Sequence, residues 1–450
     1  MKIIKKFYKS ILLFMEALLY IGCYLIFFGL LGLKNKQLLV LSRTSVVITF
    51  TWLILAVLLT IIYGSFDIGS RKKKPIVTSM ALIHGMTDCV SYLLLNIMNR
   101  NDDNNKTFKI QFIGLFILIL ILQFIWIELW VRVGDAFFFS IREPMDTLLV
   151  LSDMADEKRL CRIIGRFGKK YRIVKTLTYE DGDIKQEIER VSSVFLYNVP
   201  VNERTELANI CYRKRKDIHF NPEVSDIIIH TARQAMFEDM TFFASEERGM
   251  TFEQRLAKRL CDIIISLVAL IISSPIFLIS AILIKACDGG PVFFKQKRAT
   301  LNGRTFSIYK FRTMREDSGN RSVTADDDRI TPIGRVLRKY RLDELPQFIN
   351  ILKGEMSVVG PRPEMLENVE KYTASMPEFK YRLRMKAGLT GYAQIVGKYN
   401  TSSKDKLVLD LLYIENYSFL KDIQLIFQTV LVLLKAEDST EGFEDESDIR

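Results

Sequence analysis

Histidine is scarce in this 450-residue chain, and cysteine lacks pattern. The three histidines, His84, His219 and His230, are scattered, so neither a zinc ligand set nor a triad base is legible. The six cysteines (Cys23, Cys89, Cys161, Cys211, Cys261 and Cys287) never take the CxxC spacing. That favours reduced thiols in a cytosol-facing protein over disulfides or metal ligands. A GxGxxG fingerprint is absent: the run Thr147–Leu151 continues through Ser152-Asp-Met-Ala, which argues against a dinucleotide site. No helix-turn-helix, RNP or zinc-finger pattern accompanies the net charge of +11, so that charge is not read as nucleic-acid binding.

Hydrophobic residues, by contrast, make up 49% of the chain although 26% is charged, and the mean hydropathy is positive. The two coexist because the apolar residues are segregated before residue 135 and again at 261–284. Residues 285–398 hold 22 Lys/Arg against 13 Asp/Glu, whereas the segment from Ala436 carries seven acids against Arg450. A basic face beside apolar segments points to anionic headgroups and phosphorylated substrates. The length predicts two or three folding units.

Four apolar stretches approach the roughly 20 residues a bilayer requires: Ile11–Leu33, Thr44–Tyr63, Ile76–Met98 and Gln111–Trp130. The first is too long and too glycine-interrupted for a signal peptide, and no small-residue cleavage site follows it. His84 and Asp88 interrupt the third. Lys2, Lys5, Lys6 and Lys9 before the first, and Arg71-Lys-Lys-Lys74 between the second and third, favour both termini in the cytosol. Asp88 and Glu128 are intramembrane acids of the kind that carry function, or else they meet an interface or a partner helix.

Residues 146–247 alternate strand and helix patterns, which predicts a small Rossmann-like α/β domain with a parallel sheet, structural or regulatory rather than NAD-binding. Cys261–Ile284 is apolar throughout but carries Ser273-Ser-Pro275 at its centre. Proline removes a backbone donor and clashes one turn back, so each half becomes too short to cross. Basic residues flank both ends: Arg255, Lys258 and Arg259 before, Lys285 after. These features predict a re-entrant helix-break-helix; an ordinary proline-kinked span is the alternative.

The chemistry concentrates in Arg338-Lys-Tyr-Arg-Leu-Asp343-Glu344-Leu-Pro346-Gln-Phe-Ile-Asn350. Pro346 suits the opening of a short helix and Gly354 its end. A carboxylate pair at a helix start, ringed by Arg338, Lys339, Arg341 and Arg362, is what phosphate chemistry with a divalent metal requires. Taken alone, an Asp-Glu pair is also an ordinary decoration of a helix start. Leu301-Asn-Gly303 between Val292–Lys297 and Thr305–Arg312 predicts a hairpin carrying Lys295, Lys297, Arg298, Lys310 and Arg312. Asp326-Asp-Asp328 reads as a solvated loop, with metal binding the alternative, and Ser402, Lys404 and Asp405 read as loop. Ser418 is placed to cap a helix over Phe419–Lys435.

Six motifs in order give the segment a resemblance. They are Lys258-Arg-Leu-Cys-Asp262, Gly290-Pro-Val-Phe-Phe-Lys-Gln-Lys-Arg298, Tyr309-Lys-Phe-Arg-Thr-Met314, Asp343-Glu344-Leu-Pro-Gln347, Gly360-Pro-Arg-Pro363 and Gly388-Leu-Thr-Gly391. Together they resemble the bacterial sugar transferases, the monotopic phosphoglycosyl transferases. The family's usual Trp stands here as Tyr392 and its usual Pro as Ala387, departures that touch the substrate-side loop rather than the carboxylates.

The resemblance implies a mixed α/β membrane protein. Its parts are four N-terminal transmembrane helices (1–135), the α/β domain (146–247), a catalytic domain (253–435) with a re-entrant helix at 261–284, and an acidic disordered tail (436–450). It implies transfer of a sugar-1-phosphate from a UDP-sugar to a polyprenyl (undecaprenyl) phosphate through a phosphosugar on Asp343, starting a lipid-linked exopolysaccharide, capsule or O-antigen. Glu344 would position Mg²⁺, while Arg362, Arg298 and Arg312 would bind substrate. The catalytic domain would face the cytosol at the bacterial inner membrane, in a homo-oligomer or beside other glycan-assembly proteins. A catalytically silent scaffold and a transporter are the rival classes. Intact Asp343, Glu344 and Arg362 argue against the first, and sparse intramembrane polar groups against the second.

Overall fold

The computed structural model describes residues 2–64, 66–69, 71–98, 111–245, 249–315, 329–397 and 402–434. The expected loop at 326–328 and the acidic tail from residue 436 lie outside the described residues. The chain is mixed α/β and folds as two units, residues 1–221 and 222–450.

The first unit opens with four helices long and apolar enough to cross a membrane: α1 (Lys2–Lys34), α2 (Arg43–Tyr63), α3 (Lys73–Met98) and α4 (Ile113–Ile141). Ser42 caps α2 by accepting from the Ser45 N–H at 3.0 Å. α4 is fastened to α1 by a ladder of side-chain donors. Gln123, Trp126 and Trp130 donate to the carbonyls of Cys23, Leu19 and Met15 at 2.9, 3.2 and 2.6 Å. Gly22 makes room for this seam, because a Cβ there would overlap the Trp126 ring.

The sheet that follows is wholly parallel, in the order β2 (Tyr171–Thr178), β1 (Met145–Leu151), β3 (Ser193–Tyr197), β4 (Asp217–Phe220). Successive residues of β1 point to opposite faces, and both faces are covered. Leu148 and Val150 pack with Ile184 and Ile188 of α6 (Ile184–Arg190) and Leu207 of α7 (Val201–Arg213). Leu149 and Leu151 pack with Ile164 of α5 (Glu157–Gly165).

The second unit begins with α8 (Val224–His230), whose Ile227 joins its core, and an antiparallel pair, β5 (Arg233–Phe237) and β6 (Met240–Ala244). α9 then runs from Phe252 to Asp288, capped by Thr251 and ended by Gly289 at φ 71°. The expected break at Pro275 is corrected here, since the helix continues through it. Pro275 has no N–H for the Ile271 carbonyl, and the Ser274 hydroxyl donates to that oxygen instead at 2.8 Å. Ser273 bonds back to Ala269 O at 2.6 Å.

A hairpin follows, β7 (Phe293–Ala299) and β8 (Thr305–Phe311), turned by Asn302 and Gly303 at φ 56° and 75°. Thr331 caps α10 (Pro332–Lys339). A 3-10 turn over Leu342–Glu344 leads through Pro346 into α11 (Gln347–Lys353), which Gly354 ends at φ 83°.

β9 (Ser357–Val359) pairs in parallel with β10 (Gly388–Thr390), with α12 (Leu366–Ser375) and a 3-10 stretch over Pro377–Arg384 between them. The chain closes with α13 (Tyr392–Val396), α14 (Ser403–Glu415) and α15 (Phe419–Leu434). Ser402 is not loop, as expected, but the cap of α14: its Oγ accepts from Asp405 N at 3.1 Å and donates to Asp405 Oδ2 at 2.7 Å. Ser418 caps α15 as expected, accepting from Lys421 N at 3.2 Å.

The β9–β10 junction leaves no room for side chains. Gly360 N donates to Thr390 O at 2.8 Å and Gly388 N to Pro361 O at 2.9 Å, so two motifs 28 residues apart meet backbone to backbone. A Cβ on Gly388 would fall 2.5 Å from both Gly360 O and Thr390 O. Backbone atoms cannot swing aside as a flexible side chain does. Gly388→Ala should therefore cost about 3 kcal/mol, lowering the unfolding midpoint of the purified full chain, whereas Gly303→Asn at the hairpin turn should be nearly neutral.

Candidate active site

Three segments converge. The first is the turn bearing Asp343 and Glu344. Arg341 enters it at φ 54°, a left-handed conformation that reverses the chain after α10 so that the two carboxylates follow at once. The second is strand β8, which presents Lys310. The third is the Gly360-Pro-Arg362-Pro turn after β9.

They meet at Glu344. Lys310 Nζ and Arg362 donate to the same oxygen, Oε1, at 2.9 and 3.0 Å. Burial alone opposes ionisation of Glu344, but Lys310 and Arg362 together outweigh it and hold its carboxyl well below the usual range. Asp343, next to it, is moved the other way. Burial raises it and the Glu344 charge adds to that, against the opposing pull of Lys310 and Arg338. Asp343 takes part in none of the ion pairs found among the described residues.

The other expected residues divide. Arg298 on β7 lies beside the turn: its NH1 donates to Pro363 O at 3.3 Å and its NH2 to Gln296 Oε1 at 2.7 Å. Its Nε is buried without a protein partner. Arg312 lies on β8's continuation two residues beyond Lys310 and is buried, with its guanidinium packed over Gly290, where a Cβ would meet Cζ at 2.7 Å. The cation that reaches Glu344 from this strand is Lys310. It sits in the Tyr309-Lys-Phe-Arg motif, and its two-residue offset from Arg312 puts both on one face of the strand.

The supporting groups escaped the sequence reading. Lys258 Nζ reaches Val359 O at 2.9 Å, the last strand carbonyl before Gly360, and Asp422 Oδ2 of α15 at 2.6 Å. One turn along α9, Asp262 Oδ1 accepts from Val358 N at 2.8 Å and Ser357 Oγ at 3.0 Å. Arg259 donates to the carbonyls of Ile351 and Leu352 at 2.6 and 2.7 Å, closing the C-terminal end of α11. The Lys258-Arg-x-x-Asp262 spacing thus clamps the roots of both site arms.

Below the Pro-Arg-Pro turn, Arg382 donates to Arg362 O at 2.9 Å and pairs with Asp410 at 2.7 Å, with side-chain exposures of 3% and 2%. Asn350 Nδ2 donates to Ser307 O at 2.8 Å and its Oδ1 accepts from Tyr309 N at 2.9 Å, tying α11 to β8. A shallow pocket beside the turn is lined by Thr300, Arg362, Glu364, Arg382 and Ala387.

No group of three or more His, Cys, Asp or Glu side chains gathers for a metal among the described residues. Both ion pairs of Glu344 fall on Oε1, so the hard oxygen donors remaining at the turn are Glu344 Oε2 and the Asp343 carboxylate. That is enough for Mg²⁺, which characteristically binds one or two protein carboxylates and takes its other ligands from water and substrate phosphate.

The sequence model of the family described as bacterial sugar transferase matches residues 253–436, the stretch that builds this site. A UDP-N-acetylgalactosamine-undecaprenyl-phosphate N-acetylgalactosaminephosphotransferase of Aeromonas hydrophila is 40% identical over 183 residues, 39% of this chain and 43% of that protein. The exopolysaccharide production protein ExoY of Sinorhizobium fredii is 39% identical over 209 residues, 42% of this chain and 91% of that protein. A UDP-glucose:undecaprenyl-phosphate glucose-1-phosphate transferase of Klebsiella pneumoniae is 42% identical over 181 residues, 38% and 39% of the two chains. The match spans under half of the Aeromonas and Klebsiella proteins but nearly all of the Sinorhizobium protein. In all three the similarity covers about two-fifths of this chain, and with the motif residues clamped around one carboxylate pair, the chain belongs to the bacterial sugar transferase family.

Proposed function

We propose that the protein transfers a sugar-1-phosphate from a UDP-sugar to undecaprenyl phosphate, through a phosphosugar carried on Asp343. The observation that carries this reading is the contrast between neighbours. Glu344 is locked as an anion by two cations, while Asp343 is unpaired, partly exposed and raised. Adjacent carboxyls pushed apart in this way mark separate roles. The relatives' names supply the substrate classes, and the sugar itself is left open.

In the first step an Asp343 oxygen attacks the phosphorus nearest the sugar. The bond to the UMP oxygen breaks and UMP leaves. In the second step a phosphate oxygen of the polyprenyl phosphate attacks the same phosphorus and the aspartate is regenerated, giving a diphosphate-linked sugar. Splitting the transfer in two makes a weak carboxylate nucleophile serviceable. Arg362, with Arg298 beside its turn, binds and orients the phosphate oxygens, and Lys310 neutralises Glu344 beside the nucleophile. Mg²⁺ held by Glu344 would supply neutralisation of pyrophosphate charge.

Both ends of α9 pack on the same unit, which supports an unbroken helix that does not cross the bilayer, and the Lys/Arg bias around the first unit's helices supports a cytosolic catalytic face. The first turns of α9 are clamped to β9 and α11, and near its other end Phe277 and Ile284 pack with Phe311, Leu337, Leu342 and Leu345. A spanning helix would set these two contact sets on opposite sides of the bilayer. Between them Ile264, Ile271 and Ile272 are exposed, 60%, 72% and 72%, a surface suited to lipid.

Asp343→Asn keeps the shape and removes the nucleophile, so UMP release should fall on the order of 10⁴-fold or more. UDP-sugar without lipid acceptor should leave a phosphosugar on the wild-type protein, detected by mass spectrometry, and none on the variant. A label mapping elsewhere refutes the covalent role.

Asp343 must be ionised to attack, so the acid limb of kcat/KM should lie above the ordinary aspartate value of about 3.9, activity being lost as pH falls through it. Lys310 is the larger of the two cations opposing the rise, so Lys310→Met should move that limb to higher pH.

Cys287 lies at the end of α9 and is exposed. With the other cysteines replaced, it should resist a membrane-impermeant maleimide added outside intact spheroplasts and react after lysis. Labelling from outside would overturn the non-crossing, cytosol-facing placement of α9.

A further inference from the structure

The reaction leaves unused a polar stripe inside the helical bundle of the first unit. His84, Thr87, Asp88 and Ser91 lie at i, i+3, i+4 and i+7 on α3, and all four are 0% exposed. Every other helix of the bundle contributes surroundings. Trp52 of α2 donates to Asp88 Oδ1 at 2.7 Å and stacks on His84 with ring centroids 5.6 Å apart. Tyr20 of α1 meets His84 edge-on at 4.9 Å. Gln123 of α4 donates to Cys23 O of α1.

The stripe's own hydrogen-bonding capacity is left over. His84 Nδ1 and Nε2, Thr87 Oγ1, Asp88 Oδ2 and Ser91 Oγ have no protein partner. Thr60 and Thr78, in the same bundle, donate to carbonyls one turn back, at 2.7 and 2.9 Å, but Thr87 and Ser91 do not.

Charge makes the demand specific. No Lys or Arg occurs in residues 10–33, 44–70, 75–98 or 111–131, and no ion pair among the described residues includes Asp88. The titratable groups that face it are Tyr20 and Cys23 on α1 and His84 and Cys89 on α3; α2 and α4 present Trp52 and Gln123. A buried carboxylate met only by neutral N–H donors, Trp52 and Gln123, with no counter-charge costs several kcal/mol at membrane depth. One negative charge balances one positive charge, so a divalent ion would leave the core charged again.

We propose that this stripe binds a single monovalent cation, taken either as a proton or as an alkali ion. Asp88 supplies the charge, and Thr87, Ser91 and His84 supply the remaining lone pairs.

The three tryptophans of the chain, Trp52, Trp126 and Trp130, all lie in this bundle, so tryptophan fluorescence excited selectively, beyond tyrosine absorption, reports on it alone. The full chain in lipid nanodiscs is titrated with pH in choline buffer, and with Na⁺ against choline at fixed pH. Trp52→Phe serves as the background to subtract. A Trp52 response to pH alone identifies the proton, and a response to Na⁺ at fixed pH identifies the alkali ion; either supports the proposal. Asp88→Asn should abolish the response. Thr87→Val, which keeps the charge, should shift its midpoint roughly tenfold, the scale of one hydrogen bond. No response to either titration overturns the site, as does a response that survives Asp88→Asn. One that vanishes in His84→Gln but persists in Asp88→Asn belongs to the imidazole and overturns it too.

Discussion

The candidate site of the second unit is arranged around one shared acceptor, Glu344 Oε1. Lys310 from the hairpin and Arg362 from the Pro-Arg-Pro turn both end on it, from segments 34 and 18 residues away. Such a pair does not assemble a site by itself. Exposed ion pairs contribute about 0–1 kcal/mol, and more buried ones repay their desolvation only when the geometry is already good. The carboxylate side chain is 16% exposed, between these limits, so the backbones must be brought to it by something else.

That work falls to α9 and to two buried ion pairs. Lys258 and Asp262, one turn apart, grip strand β9 on its carbonyl and amide sides, while Arg259 between them closes the helix that carries the Asp343 turn. Lys258 also pairs with Asp422, so α15 is drawn into the same knot, with the Tyr413 hydroxyl donating to Asp422 at 2.7 Å. Arg382 and Asp410 hold the turn from the other side. Removing one partner of such a buried pair strands a charge and costs about 3–5 kcal/mol. An apolar helix suited to lipid is therefore mechanically continuous with the turn that carries Asp343 and Glu344.

What was legible in the sequence was what chain-local rules decide. Asn302-Gly303 gave the hairpin, Pro346 and Gly354 bracketed α11, and Ser418 capped α15, because each needs only a few residues of context. The uninterrupted apolar runs likewise gave the long helices. Pairings such as Lys258 with Asp422, 164 positions apart, leave no local trace. α10, α12 and α14 went unread, although Thr331-Pro332 and Ser402-x-x-Asp405 are helix-start signals of the ordinary kind. At Pro275 the rule was applied without its exception: a preceding serine can satisfy the carbonyl that proline abandons. Lys310 and Arg312 share one face of the hairpin in the sequence pattern, and only the folded structure shows that the lysine meets Glu344 while the arginine packs over Gly290.

Adjacency of the two carboxylates also has a price in charge. Two unit charges about 4 Å apart repel by roughly 4 kcal/mol at an effective dielectric of 20, and an incoming pyrophosphate adds more of the same sign. Unless Glu344 were neutralised, Asp343 would sit beside a second anion while awaiting a third. Lys310 and Arg362 cancel Glu344 and leave one positive charge over, which matches Asp343. Arg338, which also acts on Asp343, and Arg298, with its buried Nε unpaired, add further positive charge, the sign that the proposed phosphate substrates require. Glu344 thus serves even without a metal as the anchor that gathers two cations close to Asp343. Replacing it would release both cations as well as any ion it holds.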